Sequence, residues 1–575
     1  MSSRDRALAV ESLRANLRSA GIPAREEDIE RVMAEGIPER AAFLRALLAA
    51  TGDDCIPDNL SGWSLAGLEP GGEGDGAAEA ASGSPAGTPP ASSRAGPDRA
   101  RDDAGRDAES HRQTTPPRCD DRMAWPSTIA ELAPLVRAGA VSPVELTEQA
   151  LTRIEEDGGR ANAFQLVLAE EARAAARRAE DEVTGGRWRG PLHGIPVAVK
   201  DLLAMKDTVT TAGSRILADH VTDRDAASVE RLRAAGAVVV GKTRLSEFAY
   251  WPGSTNPHYG PTPNPRDPTR DAGGSSSGSA AAVARGMVYA ALGTDTGGSI
   301  RIPAALCGVV GLKPTFGHAS LHGCATLAWS LDHVGPLARS VDDAALVLAA
   351  IAGPDPRDAR TRPAPPFAIP GPPRDPVEGE RRSRAGLSGL RVGVPADLHL
   401  GAPLQDAALR SWARANRALE HAGATLVEVD LDEIHMLRQV ALLTLGVEAA
   451  AHHAPMLRTH YDDYGEFCRG RLVAAFTFSA QDFLGAQRLR HWIRGRWDAA
   501  CHRVNLLSLP CQPGVAPLLD MPASTDLTNL FNALGWPAIS VPCGNGEHDL
   551  PLAVQLVAKP WDEATLLRAA RAVEA

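Results

Sequence analysis

Between Arg4 and Ala50 the apolar positions recur at helical spacing: Val10, Leu13 and Leu17, then Ile29 and Val32, then Phe43, Leu44 and Leu47. That periodicity predicts three short helices, with Gly21-Ile22-Pro23 and Gly36-Ile37-Pro38 as the breaks between them. From about Glu69 to Arg118 the pattern vanishes into Gly, Ala, Ser, Pro and charge, which cannot offset the entropy of ordering. The expected organisation is a small helical module over 1–64, a flexible linker over 65–123 and a main body over 124–575. In the body, Ser142-Pro143-Val144-Glu145 supplies an N-cap, a first-turn proline and a capping-box glutamate ahead of Leu146, Ala150 and Ile154. Short β-rich runs follow at Ile195–Val199, Ala237–Val240 and Leu390–Val394, alternating with helical patterns. The fold class is therefore α/β, a mixed central β-sheet covered by helices, with a small N-terminal helical module. The proline-rich stretch from Gly353 to Arg384 reads as a surface excursion between two halves.

Composition narrows this picture. A chain of 575 residues with 44% hydrophobic content can fill a large core, and with only 4% aromatics that core must be built mainly of Ala, Val and Leu. The net charge of -11 is dispersed, with no Lys/Arg block, so no nucleic-acid partner is expected. Eight cysteines are scattered without zinc-ligand spacing, and so are expected to be reduced and structural. Charges at Arg4, Asp5, Arg6 and Glu11 interrupt any leader pattern, and the apolar run Ala344–Ala352 is half a membrane span. The expectation is a soluble cytoplasmic protein with no membrane partner.

Three motifs compete for the chemistry. Gly236 to Thr243 fits G-x-x-x-x-G-K-T, but its four intervening residues, Ala-Val-Val-Val, favour a buried strand over a phosphate-wrapping turn. Gly274 to Gly278 fits G-x-S-x-G with Ser276 as nucleophile. That elbow must follow a strand, whereas the proline-rich Pro261–Pro268 precedes it. The third reading joins Gly273–Ser279 to Gly293–Ser299: glycines beside serines let backbone N–H groups approach a reacting carbonyl, although any single Gly-Gly-Ser is ordinarily a turn.

The whole stretch Gly273 to Thr315, GGSSSGSAAAVARGMVYAALGTDTGGSIRIPAALCGVVGLKPT, resembles the amidase signature. The resemblance extends upstream to Pro191–Asp201, downstream to Leu331–Pro336 and Val554–Val557, and so over the body but not the N-terminal part. It implies Ser299 as nucleophile, Ser275 as a relay following a cis peptide bond, and Lys200 as base. It also implies an oxyanion hole from the backbone N–H groups of Thr296, Gly297, Gly298 and Ser299, and no cofactor or metal. The base would need a lysine shifted down by some three units, about 4 kcal/mol, which burial supplies. The implied substrate is a small-molecule amide, cleaved through an acyl-enzyme; a homodimer is the one assembly considered. Arg301 reads as a structural ion pair ahead of a substrate ligand, and Cys307 as a core residue. Arg244 stands where the family usually has Asn. Ser479-Ala480-Gln481-Asp482-Phe483-Leu484 replaces the Gly-Tyr-Tyr-Asp segment of the transamidase glutaminase subunit, favouring a free-standing amidase. The alternatives are a catalytically silent amidase-like binding protein and that glutaminase subunit.

Overall fold

A computed structural model describes residues 3–50, 126–363, 365, 386–398, 403–519 and 521–575. The expected linker and most of the proline-rich excursion lie outside these residues. The excursion's described beginning is tied down: Asp355 and Asp358 are buried and accept from Ser320 Oγ and the Leu321 N–H.

The strands are Phe164–Val167 (β1), Pro196–Lys200 (β2), Thr208–Val209 (β3), Val221–Thr222 (β4), Val238–Thr243 (β5), Ala290–Asp295 (β6) and Val310–Lys313 (β7). They continue with His333–Ala338 (β8), Arg391–Pro395 (β9), Thr425–Val429 (β10), Leu506–Pro510 (β11), Ala538–Asn545 (β12) and Pro551–Ala558 (β13). Eleven form one sheet in the order β1-β5-β2-β6-β8-β7-β12-β13-β11-β9-β10, while β3 and β4 make a small ribbon. The sheet is mixed: β5, β2 and β6 run parallel, β6, β8, β7, β12, β13 and β11 alternate, and β11, β9 and β10 run parallel. Both faces are covered. Val197, Val199 and Leu292 pack into one buried layer, and Ala198, Val240 and Ala291 into the opposite one. That arrangement explains the near-continuous apolar character of the central strands. The P-loop-like segment is strand β5, with Lys242 buried against Asp201 at 2.6 Å.

The helices that matter below are Ser3–Ser19 (α1), Glu26–Ala34 (α2), Ile37–Ala50 (α3), Pro143–Ala161 (α4), Ser277–Ala284 (α5), Ile434–Thr459 (α6), Glu466–Ala474 (α7) and Ala480–Ala500 (α8). Helix α4 starts where Ser142 predicts, its Oγ accepting from the N–H groups of Val144 and Glu145. The Ser142 hydroxyl in turn donates to the Glu180 carboxylate. Helices α1 to α3 break at the two Gly-Ile-Pro segments, with Pro38 in the first turn of α3. Leu13, Leu17, Ile29 and Val32 are buried in one cluster with Leu245, Phe248, Leu457 and Leu472 of the body. The side chains of Phe43, Leu44 and Leu47 lie outside the described set. One described helix, α6, is long and apolar enough to cross a membrane. Its Leu437, Val440 and Leu443 are buried against Trp497 of α8 and Phe531.

Candidate active site

Lys200 ends β2 and is fully buried. Its Nζ donates to Ser275 Oγ at 2.7 Å, Thr294 Oγ1 at 2.8 Å and Ser276 Oγ at 3.0 Å. Burial pushes the ammonium down to about 7, with neighbouring Cys324, Asp295 and Asp332 pulling the other way. Ser275 follows a cis peptide bond from Gly274, in a segment too tight for side chains: a Cβ on Gly274 would lie 2.0 Å from the Gly253 carbonyl oxygen.

The three hydroxyls around Nζ are not equivalent. Ser276 Oγ also donates to the Thr294 carbonyl and accepts from the Thr294 N–H, which ties it between two segments. Ser276 is wholly buried at the start of α5, and the segment before it is not a strand, so it is not placed as an elbow nucleophile. Among the described residues, Ser275 Oγ is bonded by Lys200 Nζ alone. The Ser276 N–H donates to the Ser299 carbonyl at 3.2 Å, which lays the two Gly/Ser segments side by side.

Ser299 lies in the turn that follows β6 and lines a cavity of about 350 Å³. Asp295, at the end of β6, holds that turn: its carboxylate accepts the N–H groups of Gly298 at 2.8 Å and Ile300 at 3.2 Å. Of the four amides expected in the oxyanion hole, the Gly298 N–H is therefore taken by Asp295. Gly298 itself has φ +132°, and a Cβ there would sit 2.2 Å from Thr528 Oγ1. Thr528 Oγ1 in turn donates to the Gly297 carbonyl at 2.6 Å. Thr296 Oγ1 donates to Asp332 at 2.6 Å, and burial pushes that carboxyl up to about 6.

Arg301 is completely buried and is not among the residues that line the cavity. It pairs with Asp295 at 2.9 Å and reaches the Asn532 side chain at 2.7 Å and the Thr528 carbonyl at 2.9 Å. Burial favours a neutral Asp295, but Arg301 outweighs it and holds the carboxyl below the usual range. Cys307 is a buried thiol, and Arg244 lies over the Tyr259 ring and bonds Gln165, outside the cavity lining. No three His, Cys, Asp or Glu side chains among the described residues gather as metal ligands would.

The cavity is mainly apolar, with Tyr250, Trp251, Leu445 and Phe478 in its wall and Arg471 of α7 as a cation over the rings of Tyr250 and Trp251. Glu35 and Ile37, from the N-terminal helices, also line it.

Residues 145–567 match the Amidase family. The chain belongs to the amidase signature family. Among its relatives is the A subunit of the glutamyl-tRNA(Gln) amidotransferase of Anaeromyxobacter dehalogenans (strain 2CP-C), 42% identical over 76% of this chain and 94% of the relative. A Pseudomonas putida amidase is 40% identical over 78% of this chain and 95% of its own length. Among solved structures, a chain from the vestigial protein complex bearing on the origins of an s-triazine catabolic enzyme has a TM-score of 0.71 at 35% identity. It covers 78% of this chain and 98% of that one.

Within this member of the amidase signature family, sequence reasoning passed over Thr294, Asp295 and Asn532. The first two stand inside Gly293-Thr294-Asp295-Thr296, where a strand ending in a carboxylate just before a Gly-Gly-Ser turn is the signal that could have found them. Asn532 is more than two hundred residues away and carries no local signal.

Proposed function

We propose that the protein hydrolyses a carboxamide through an acyl-enzyme on Ser299. Neutral Lys200 accepts the proton of Ser275 Oγ while Ser275 accepts that of Ser299, and Ser299 Oγ attacks the amide carbon. The developing oxyanion is held by the N–H groups of Thr296, Gly297 and Ser299. The proton returns through Ser275 to the leaving nitrogen, the C–N bond breaks, and ammonia or an amine departs. Water then uses the same relay to release the carboxylate. The single observation carrying this reading is a buried lysine held near neutrality at 2.7 Å from a serine whose neighbouring residue bonds to the cavity-lining Ser299 segment.

A second reading is favoured by the relatives' names: a glutaminase component that passes ammonia to partner proteins working on a charged tRNA. Under it the expected absence of a nucleic-acid partner gives way. The first reading is supported by Glu35 and Ile37, which belong to N-terminal helices outside the family match yet line the cavity. Purified chain assayed on glutamine and on aliphatic, aryl and ureido amides separates the two. Turnover of a non-glutamine amide by the chain alone supports the amidase. Glutamine hydrolysis that rises only in company of co-purifying proteins supports the transamidase.

A further inference from the structure

The cavity wall is not confined to the body. Helix α2 ends at Ala34 and α3 begins at Ile37, and the junction between them supplies Glu35 and Ile37 to the cavity that Ser299 lines. The junction is fixed in place by ion pairs to α7 and the turn before it. Asp28 of α2 is completely buried and accepts from Tyr461 Oη at 2.6 Å and Arg469 Nε at 3.0 Å. Arg25 pairs with Asp462, and Arg31 with Glu466. Arg469 shares helix α7 with the cavity-lining Arg471, so the helix that anchors the module also lines the cavity.

Glu35 is exposed, Arg471 is half-buried and Tyr250 is buried, which sets Glu35 at the mouth and the aromatic wall further in. Glu35 makes no ion pair among the described residues, so its charge is left for whatever enters. Ile37 beside it is partly buried and packs on the same apolar cluster as Leu245 and Leu472.

We propose that the N-terminal helices form the outer wall of the substrate site, with Glu35 selecting amides whose end remote from the scissile bond is cationic over those whose remote end is anionic. Ile37 adds apolar contact to the substrate's stem. A carboxylate at the mouth attracts a cationic tail and repels an anionic one, while Arg471 is common to both and unchanged by substitutions at Glu35.

The proposal rests on Ser299 as nucleophile, and the test keeps the two apart. Fluorophosphonate probes with alkyl tails of graded length, ending in ammonium or carboxylate, are reacted with the full-length protein, and Ser299 labelling rates are followed by mass spectrometry. Failure of every probe to label Ser299 overturns the nucleophile reading, and this proposal with it. With labelling present, E35K is expected to lower the ammonium-to-carboxylate rate ratio about tenfold and E35Q by less, in the tails long enough to reach the mouth. The exposed control E30K, on α2 but outside the cavity lining, leaves the ratio unchanged. A ratio unaltered in both E35K and E35Q, with Ser299 still labelled, overturns the role of the N-terminal helices in selection.

Discussion

At the scale of single residues, the site depends on the difference between three serines. Ser299→Ala is expected to abolish both turnover and fluorophosphonate labelling. Ser276→Ala removes one of three partners of Lys200 Nζ, a loss worth about 1 kcal/mol, so labelling persists and turnover falls roughly tenfold or less. Retained turnover in Ser299→Ala together with its loss in Ser276→Ala would restore the elbow reading. Lys200 sets the pH response. Its ammonium is held at about 7, and only the neutral amine accepts a proton, so activity is expected to be low below that value and to rise through it. Lys200→Ala should lower acylation by several powers of ten, and a variant keeping the same limb near neutrality would point to another base. Lys200, Ser275 and Ser299 were singled out in the sequence because the segments Pro191–Asp201 and Gly273–Thr315 resemble the amidase signature. The use of the Gly298 amide was not legible there, because nothing in Thr296-Gly297-Gly298-Ser299 reveals which N–H the Asp295 carboxylate takes.

At the scale of elements, the turn that carries Ser299 is held by a buried charge cluster that joins distant parts of the sheet. Arg301 binds Asp295 at the end of β6, Asn532 and, on β13, the Gln555 side chain at 2.5 Å. Arg301→Leu leaves the Asp295 carboxylate buried with its main partner gone. A cost of about 3–5 kcal/mol is expected, seen as a lower urea midpoint. An unchanged midpoint would mean that Lys313 and Asn532 suffice to hold the carboxylate. Strands β2, β5 and β9 were visible as apolar runs, and the false P-loop resolved into β5 for the reason its valines give. The order of the eleven strands was not visible. Pairings such as Ser540 with Gly311, between β12 and β7, join segments far apart in sequence, and a local pattern holds no record of them.

At the scale of the whole molecule, the sequence suggested an N-terminal module too small to hold its own core, and the structure gives the physical counterpart. Leu13, Leu17, Ile29 and Val32 are buried only by sharing a cluster with Phe248, Tyr461, Tyr464 and Leu472. What the periodicity could not show is where they dock, because that depends on Asp28, a polar residue on an otherwise exposed-looking acidic turn. Asp28 is buried, and its Arg469 partner is only 8% exposed. Asp28→Ala therefore strands a guanidinium in a nearly dry interface, a change expected to cost about 3 kcal/mol of docking. The apolar contacts and the outer pairs of Arg25 and Arg31 remain, so the module should loosen without the body unfolding. Amide hydrogen exchange reads this directly: protection in α1 and α2 is expected to fall by about two powers of ten, while protection in β2, β5 and β6 stays as in the unsubstituted chain. Loss of protection throughout the sheet would make Asp28 a determinant of the whole fold. Unchanged protection in α1 and α2 would mean that apolar burial alone holds the helices against the cavity.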